Sequence, residues 1–390
     1  MKKRIAIIGA STGQLPLCKK AKEMGLETYC FAWPEGAVCK EYVDHFIPIS
    51  IFEMDKIFQY CRDCNVDGVA SNASEETALV VSYVAERLGK VCTPYRVLMN
   101  IQNKVFVRQK TNAIPALAQV RFEVGPLENL MSSFPRPYVL KPVKGAAKKG
   151  VNFVDRSVED LSVPSDLKDA TFMAEEYIAG KEYSVESVSY NNRHEVIQMT
   201  EKVGTGAPHF VELEHHQPAC LPVFVEERIR NVIPLVLSSI GFINGASHTE
   251  IKVDDKNNIY LIEVNPRGGG DYISNALINL STDYDYLEKL LLVALDMYEP
   301  VAVHNIAYSG IYFLSAYTSR LLPCFDMPEE DWVVLRERRG KELTASCSNY
   351  DRNGFILYCS LFEKYLYSCE IVYIFVGRRS TNIRAKYIML

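Results

Sequence analysis

Two short alternating runs, Ser247-His248-Thr249-Glu250-Ile251-Lys252-Val253 and Ile259-Tyr260-Leu261-Ile262-Glu263-Val264-Asn265, are joined by Asp254-Asp255-Lys256-Asn257-Asn258. Period-two alternation and a polar link of turn-forming residues predict a β-hairpin. In such a hairpin Glu250 and Glu263 can stand opposite each other, with Asn265 two residues on and facing the same way. Two carboxylates and an amide oxygen on one face form a hard-oxygen set. Such a set suits Mg²⁺, whose remaining positions go to phosphate oxygens and water. The chain continues Pro266-Arg267-Gly268-Gly269-Gly270. Continued alternation would bring the permanent charge of Arg267 onto that face. The glycines clear side chains where a ligand must approach the backbone. A solvated acidic hairpin with apolar flanks (Ile251, Val253, Leu261, Val264) carries the same pattern, so spacing alone leaves both readings open.

The N-terminal segment reads differently. Arg4–Ile8 predicts a buried parallel strand ending at Gly9, Leu15–Met24 a helix and Glu27–Ala32 a second strand, the opening of an α/β sheet. The rhythm continues with a helix over 52–64, a strand over 68–71 and a helix over 75–88. The turn Gly9-Ala10-Ser11-Thr12-Gly13-Gln14 is not GxGxxG, and the second strand ends in Phe31-Ala32-Trp33 with no acid for a ribose. It is a helix N-terminus that can receive a small anion or simply pack. Pro94 and the polar run before Lys104 mark a domain boundary.

At 390 residues the chain is long enough for two or three domains with ample core. Its 48% hydrophobic and 23% charged residues are the profile of a folded globular protein. A net charge of −5 without a dense basic run argues against nucleic-acid or membrane-surface binding. The N-terminus reaches Gly9 too soon for a signal h-region, and no apolar stretch is long enough to span a bilayer. Eleven cysteines without a repeated spacing do not make a disulfide framework. Cys61-Arg62-Asp63-Cys64 is a lone CxxC on a predicted helix, with no second pair to complete a zinc site. Together these point to a reducing, cytoplasmic location.

Phosphate chemistry enters after the boundary. Tyr138-Val139-Leu140-Lys141-Pro142-Val143 predicts a strand carrying one lysine. The basic, small-residue loop Lys144-Gly145-Ala146-Ala147-Lys148-Lys149-Gly150-Val151 follows it. Backbone N–H groups in such a loop, with lysines at its edges, can fold over a polyphosphate, although a solvated turn between strands has the same composition. The loop is not GxxxxGK[ST]. Next, Phe172–Glu176 and the strand after Gly180 are joined by a short connector. Glu175 to Ile178 can offer main-chain donors and acceptors to an adenine, and Glu182 a carboxylate to a ribose; an ordinary hairpin with surface acids is the alternative.

The order of these elements is more specific than any one of them. A strand lysine, a basic small-residue loop, Glu-x-x-Ile-x-Gly-x-Glu, and then Glu…Glu-x-Asn-x-Arg resembles the ATP-grasp superfamily over about residues 95 to 300. The resemblance implies an α/β and α+β fold. An N-terminal open parallel-sheet domain (1–94) would precede an ATP-grasp domain of two α+β subdomains (95–300, with a lid over about 112–178 and a core over 179–300). A small β-rich C-terminal subdomain (301–390) would follow. It implies ATP and two Mg²⁺ ions, with Mn²⁺ as a substitute. Lys104 and Lys141 then resemble the phosphate-contacting lysines, and Lys144, Gly145, Lys148, Gly150 and Val151 belong to the phosphate loop. Glu175, Glu176 and Ile178 match the adenine hinge and Glu182 the ribose acid. Glu250, Glu263 and Asn265 match the metal ligands, and Arg267 the arginine beside the reacting carboxylate. Ala146, Ala147 and the adjacent lysines depart from the usual Gly/Ser-rich loop.

The implied chemistry is activation of a carboxylate as an acyl phosphate, followed by attack of an amine. His248-Thr249-Glu250 with Asn265-Pro266-Arg267-Gly268-Gly269 is similar to L-amino acid ligases. His248 shares a strand face with Glu250 and can reach a substrate carboxylate, orient a ligand or be structural. Lys202, at the start of an irregular stretch, can contact phosphate or face solvent. In Glu214-His215-His216-Gln217 the adjacent histidines point opposite ways, which suits a substrate-lining role better than zinc. Partners implied are small-molecule carboxylate and amine substrates, with a homodimer the usual assembly among similar proteins. A bicarbonate-activating carboxylase or carbamoyl-phosphate-type enzyme, and a non-catalytic nucleotide-binding relative, are the alternatives. The last forty residues, with Cys359, Cys369 and the basic run 378–384, match no interpretable pattern.

Overall fold

A computed structural model of the chain describes residues 2–144, 150–155, 161, 163–167, 170–328, 330–340 and 342–361. They gather into two compact units. The first comprises Met1–Gln198, Leu221–Asp271 and Asp285–Val301; the second comprises Met199–Cys220, Tyr272–Tyr284 and Ala302–Leu390 so far as it is described. The phosphate-loop residues 145–149, Gly145 and Lys148 among them, lie outside the described residues, as do Cys369 and 378–384.

The first unit opens with β1 (Arg4–Ile8), α1 (Leu15–Glu23), β2 (Glu27–Phe31), β3 (His45–Ile47), α2 (Met54–Asp63), β4 (Gly68–Ala70) and α3 (Glu75–Arg87). The strands form a sheet in the order β3-β2-β1-β4, with all three pairings parallel. Ile5, Ala6, Ile7 and Ile8 are fully buried, the unbroken apolar run that a parallel strand covered on both faces requires. The turn after β1 takes the packing option. Gln14 folds back so that its Oε1 accepts from the Ser11 backbone N–H (3.1 Å) and from the Ser11 hydroxyl (2.6 Å). Its Nε2 donates to the Ala73 carbonyl at 2.9 Å. The Ser11 N–H that an anion would use is therefore taken. In α2, Cys61 is buried, and its thiol is pushed up to about 12 by burial and then the neighbouring Cys64.

Two helices follow, α4 (Tyr95–Ile101) and α5 (Lys104–Thr111). A small antiparallel sheet comes next, from β5 (Phe122–Gly125), β6 (Tyr138–Pro142), β7 (Asn152–Val154) and β8 (Phe172–Glu176) in the order β5-β8-β6-β7, with α6 (Leu127–Ser133) between β5 and β6. Leu130 and Phe134 pack on Tyr138, Leu140, Phe172 and Ala174 to form its core. Then come β9 (Lys181–Tyr190), β10 (Arg193–Gly204), β11 (Glu212–Gln217), α7 (Val223–Ser239), β12 (Gly245–Val253), β13 (Ile259–Asn265), α8 (Ile278–Thr282) and α9 (Tyr286–Ala294). In the first unit β13, β12, β9 and the start of β10 lie side by side in that order. Helix α9 buries Leu287, Leu290, Leu291 and Ala294. Its end approaches β4 so closely that a Cβ at Gly68 would stand 2.3 Å from the Ala294 carbonyl oxygen.

The second unit joins the end of β10 to β11, β14 (Tyr308–Leu314), α10 (Leu322–Asp326), β15 (Val333–Arg338) and β16 (Gly354–Ser360). Its strands run β10-β11-β14-β16-β15, antiparallel throughout. Ile273, Leu277, Ile311, Phe313, Phe355 and Leu357 make its core. No helix among the described residues is long and apolar enough to cross a membrane.

Candidate nucleotide and metal site

The hairpin β12–β13 forms, with a β-bulge: its register steps by one between Ile251, paired with Leu261, and Glu250, which passes over Ile262. Asp254 closes the turn by accepting at Oδ1 from the N–H groups of Lys256 (3.0 Å) and Asn258 (2.8 Å). Glu250 and Glu263 are direct cross-strand partners, and His248 is the partner of Asn265. On the other edge of β12, His248 faces Glu186, Glu250 faces Ser184 and Lys252 faces Glu182. Cross-strand partners project to the same side of a sheet. Three strands therefore build a polar grid, with Glu186–His248–Asn265 in one row and Ser184–Glu250–Glu263 in the next. Alternation does not carry on to Arg267. Pro266 has no N–H to extend the ladder, the strand ends at Asn265, and the Arg267 N–H turns back to the Asn265 carbonyl at 2.9 Å. Arg267 Nη1 donates to the Gly268 carbonyl at 2.9 Å.

Helix α5 brings cations to this hairpin. Its cap is Asn103, whose Oδ1 accepts from Val105 N–H at 3.0 Å and Phe106 N–H at 3.3 Å. Lys104 Nζ lies 2.9 Å from Glu263 Oε1. One turn on, the same helix face carries Arg108, which is only 4% exposed. Its Nε donates to Glu175 Oε1 at 2.6 Å and its Nη1 to the Leu261 carbonyl at 2.7 Å. Lys141 pairs with the other Glu175 oxygen. Burial alone would raise the Glu175 pKa, but the charges of Lys141 and Arg108 outweigh it and hold it at about 2. The side chain of Glu175 is thus a structural counter-ion for two cations.

Lys104, Arg108, Lys141, Glu175, Glu263 and Asn265 line a cavity open to solvent, together with Glu75 and Gln102. Glu75, the first residue of α3, is a site residue that sequence reasoning missed. Burial raises its pKa, and the Glu263 carboxylate adds to that, against the pull of Arg267 and Lys104. Nothing near residue 75 announces a partner 188 positions away. Arg108 was findable, since its i, i+4 relation to Lys104 puts two cations on one helix face.

His248 is 4% exposed and held on both sides. Its Nδ1 meets Glu186 Oε1, and its Nε2 lies 3.2 Å from Glu250 Oε1. Burial disfavours its charge, yet Glu186 and Glu250 outweigh burial and push it up to about 9. At the expected hinge, Glu176 N–H donates to the Arg121 carbonyl (3.0 Å) and Tyr177 N–H to the Pro137 carbonyl (3.3 Å). Both donors serve the fold. Lys252 donates to the Ile178 carbonyl at 3.3 Å and lies 5.2 Å from the Tyr177 ring centre. Lys144 is exposed and Val151 half-buried; Gly150 takes φ 73° beside Leu167. Lys202 belongs to the second unit, where it is buried and 2.9 Å from Glu212 Oε1 rather than facing solvent. There the adjacent histidines diverge. His215 Nε2 lies 3.4 Å from Glu212, and His216 sits between Glu214 (3.0 Å) and the Tyr358 hydroxyl (2.9 Å).

A parallel α/β sheet followed by a small antiparallel sheet and a hairpin-edged antiparallel layer is the architecture of an ATP-grasp fold. Residues 134–276 match the family model described as "ATP-grasp domain", and the chain carries such a domain. It is 28% identical over 172 residues to a D-alanine–D-alanine ligase of Acidiphilium cryptum (strain JF-5), which covers 40% of this chain and 54% of that protein. The chain thus spans about half the length of this curated relative. In fold it is similar to the L-amino acid ligase from Bacillus licheniformis, with a TM-score of 0.74 and 22% identity over 93% of this chain and 94% of that one. It is also similar to N5-carboxyaminoimidazole synthetase from Staphylococcus aureus complexed with ADP, with a TM-score of 0.70 and 17% identity over 92% and 94%.

Proposed function

We propose that the protein is an ATP-dependent carboxylate–amine ligase that activates a carboxylate as an acyl phosphate and joins it to the amine of an amino acid. The single observation that carries this reading is the meeting of Lys104 with Glu263, the cross-strand partner of Glu250, in one cavity with Lys141 and Asn265. Oxygen-only donors at Glu250, Glu263 and Asn265 suit a hard divalent cation. Magnesium held there would draw charge from the transferring phosphoryl group.

The chain's own residues do the rest. Lys104 and Lys141 hold the triphosphate in line, with Lys144 and Gly150 over it. Main-chain groups of 175–178 other than the Glu176 and Tyr177 N–H take the adenine, and Glu182 the ribose. A carboxylate oxygen attacks the γ-phosphorus, the bond to the β-phosphate oxygen breaks, and ADP leaves. Arg267 holds that carboxylate and then stabilises the tetrahedral oxyanion formed when the amine adds. Phosphate departs with one oxygen of the original carboxylate, and the ammonium proton goes to solvent or phosphate. Two Mg²⁺ ions, a division of the chain near residues 94 and 300 and a homodimer belong to the same reading. So does a reducing compartment, which free, buried Cys18, Cys30, Cys39 and Cys61 would suit.

The test is phosphate release from ATP across amino acids, singly and in pairs, and bicarbonate. Release should require an amino acid with a free carboxylate. Turnover with bicarbonate alone would instead indicate a carboxylase-type reaction, and no turnover under any condition a non-catalytic nucleotide binder.

A further inference from the structure

We propose that Glu186 is the positioning residue of this site: one buried carboxylate that sets the relation between the strand carrying Glu250 and the glycine turn that follows Arg267. The inference rests on the ligase reading for what those groups do, and on geometry for how they are held.

Glu186 lies mid-strand in β9 with 0% exposure. Its two oxygens serve two different segments. Oε1 receives His248 Nδ1, and Oε2 accepts the Gly269 backbone N–H at 2.9 Å. His248 in turn reaches Glu250 Oε1 through Nε2 at 3.2 Å. His248 is two residues from Glu250, and Gly269 two residues from Arg267. A carboxylate out of water is costly unless it is charge-paired and hydrogen-bonded. On the other face of the same strand the sequence uses Val185, also fully buried, so burial does not itself call for an acid. Of the two partners that sustain this acid, His248 is the cross-strand partner of the cavity residue Asn265, and Gly269 lies three residues beyond the cavity residue Pro266. A hydrogen-bonded outer partner of this kind fixes the ring orientation of a histidine and, through it, the carboxylate beyond.

Reach and charge can be separated. Glu186→Gln keeps the length of the side chain. Its amide oxygen can accept from Gly269 N–H while its NH₂ donates to His248 Nδ1, which leaves a proton on Nε2 for Glu250. Glu186→Asp keeps the charge but is one methylene short of spanning both partners. The readouts are Mn²⁺ bound in the presence of ADP, by electron paramagnetic resonance, ADP affinity without metal, and kcat with its KM for ATP. Positioning predicts that Glu186→Asp loses about tenfold or more in Mn²⁺ affinity and in kcat. Metal-free ADP affinity and KM should stay within about threefold, and Glu186→Gln should stay near wild type. The inference is overturned if Asp matches wild type, if Gln falls as far as Asp, or if Asp loses metal-free ADP affinity in parallel with Mn²⁺. Wild-type protein that binds no Mn²⁺ with ADP would count against the ligase reading instead.

Discussion

Lys104 of α5 and Glu263 of β13 meet at 2.9 Å, and the same Glu263 stands directly across the hairpin from Glu250. One carboxylate thus faces both a lysine ammonium and a second acid, the arrangement a metal–triphosphate complex would enter by taking over the Lys104 contact. Glu263→Gln preserves shape and removes charge. Turnover should fall by more than about 100-fold, the upper range for lesions that only touch a metal's outer partners, with an unchanged circular dichroism spectrum. A fully active variant would contradict the metal assignment.

Nucleotide binding should be visible as stability. At a ligand concentration a hundred times Kd, a site present only in the folded state adds about 2.7 kcal/mol. Thermal unfolding with ADP should shift upward, and further when Mg²⁺ is added. In Glu263→Gln the ADP shift should remain and the magnesium increment disappear; an increment retained in full would move the cation elsewhere.

The buried triad of Arg108, Lys141 and Glu175 predicts a large structural lesion away from the metal. Arg108→Met leaves Lys141 as the sole counter-charge of Glu175 and strips the Leu261 carbonyl of its donor. Breaking a buried pair of this kind costs about 3–5 kcal/mol, to be read from urea unfolding. A loss below about 1 kcal/mol, the level of an exposed pair, would mean that the triad contributes little.

Glu175 also sets an acid limit. Its pKa is held at about 2 in the folded chain, below the roughly 4.3 of a free glutamate. Between these values the unfolded chain binds the proton and the folded chain does not, so stability rises with pH. The contribution is complete above about 4.3 and is lost as pH falls through about 2. Glu175→Gln should flatten that part of the stability profile; an unchanged slope would assign it to other acids.

How much of this was legible depends on how local each cause is. The β12–β13 hairpin could be read because alternation and a turn-forming link act within twenty residues; the Glu250–Glu263 pairing itself is set by a bulge, since the register counted from Val253–Ile259 would otherwise put Glu250 against Ile262. The strand at Arg4–Ile8 could be read because an unbroken apolar run has few other uses. Alternation does not reach Arg267, because the ladder stops at Pro266. Glu175 looked like a surface or hinge acid, since its two cations come from Arg108 and Lys141 on separate elements. Glu75 and Glu186 were invisible for the same reason, although Glu182, Ser184 and Glu186 share one strand face. The role of Glu186 exists only once β9, β12 and the turn at Gly269 have been brought together, and that of Glu75 only once α3 meets β13.

The central claim is that the carboxylate itself attacks ATP, and oxygen transfer tests it most directly. With an acid substrate labelled with ¹⁸O in its carboxylate, the phosphate released during ligation should carry one labelled oxygen. Phosphate released without label, at the rate at which product forms, would contradict the account.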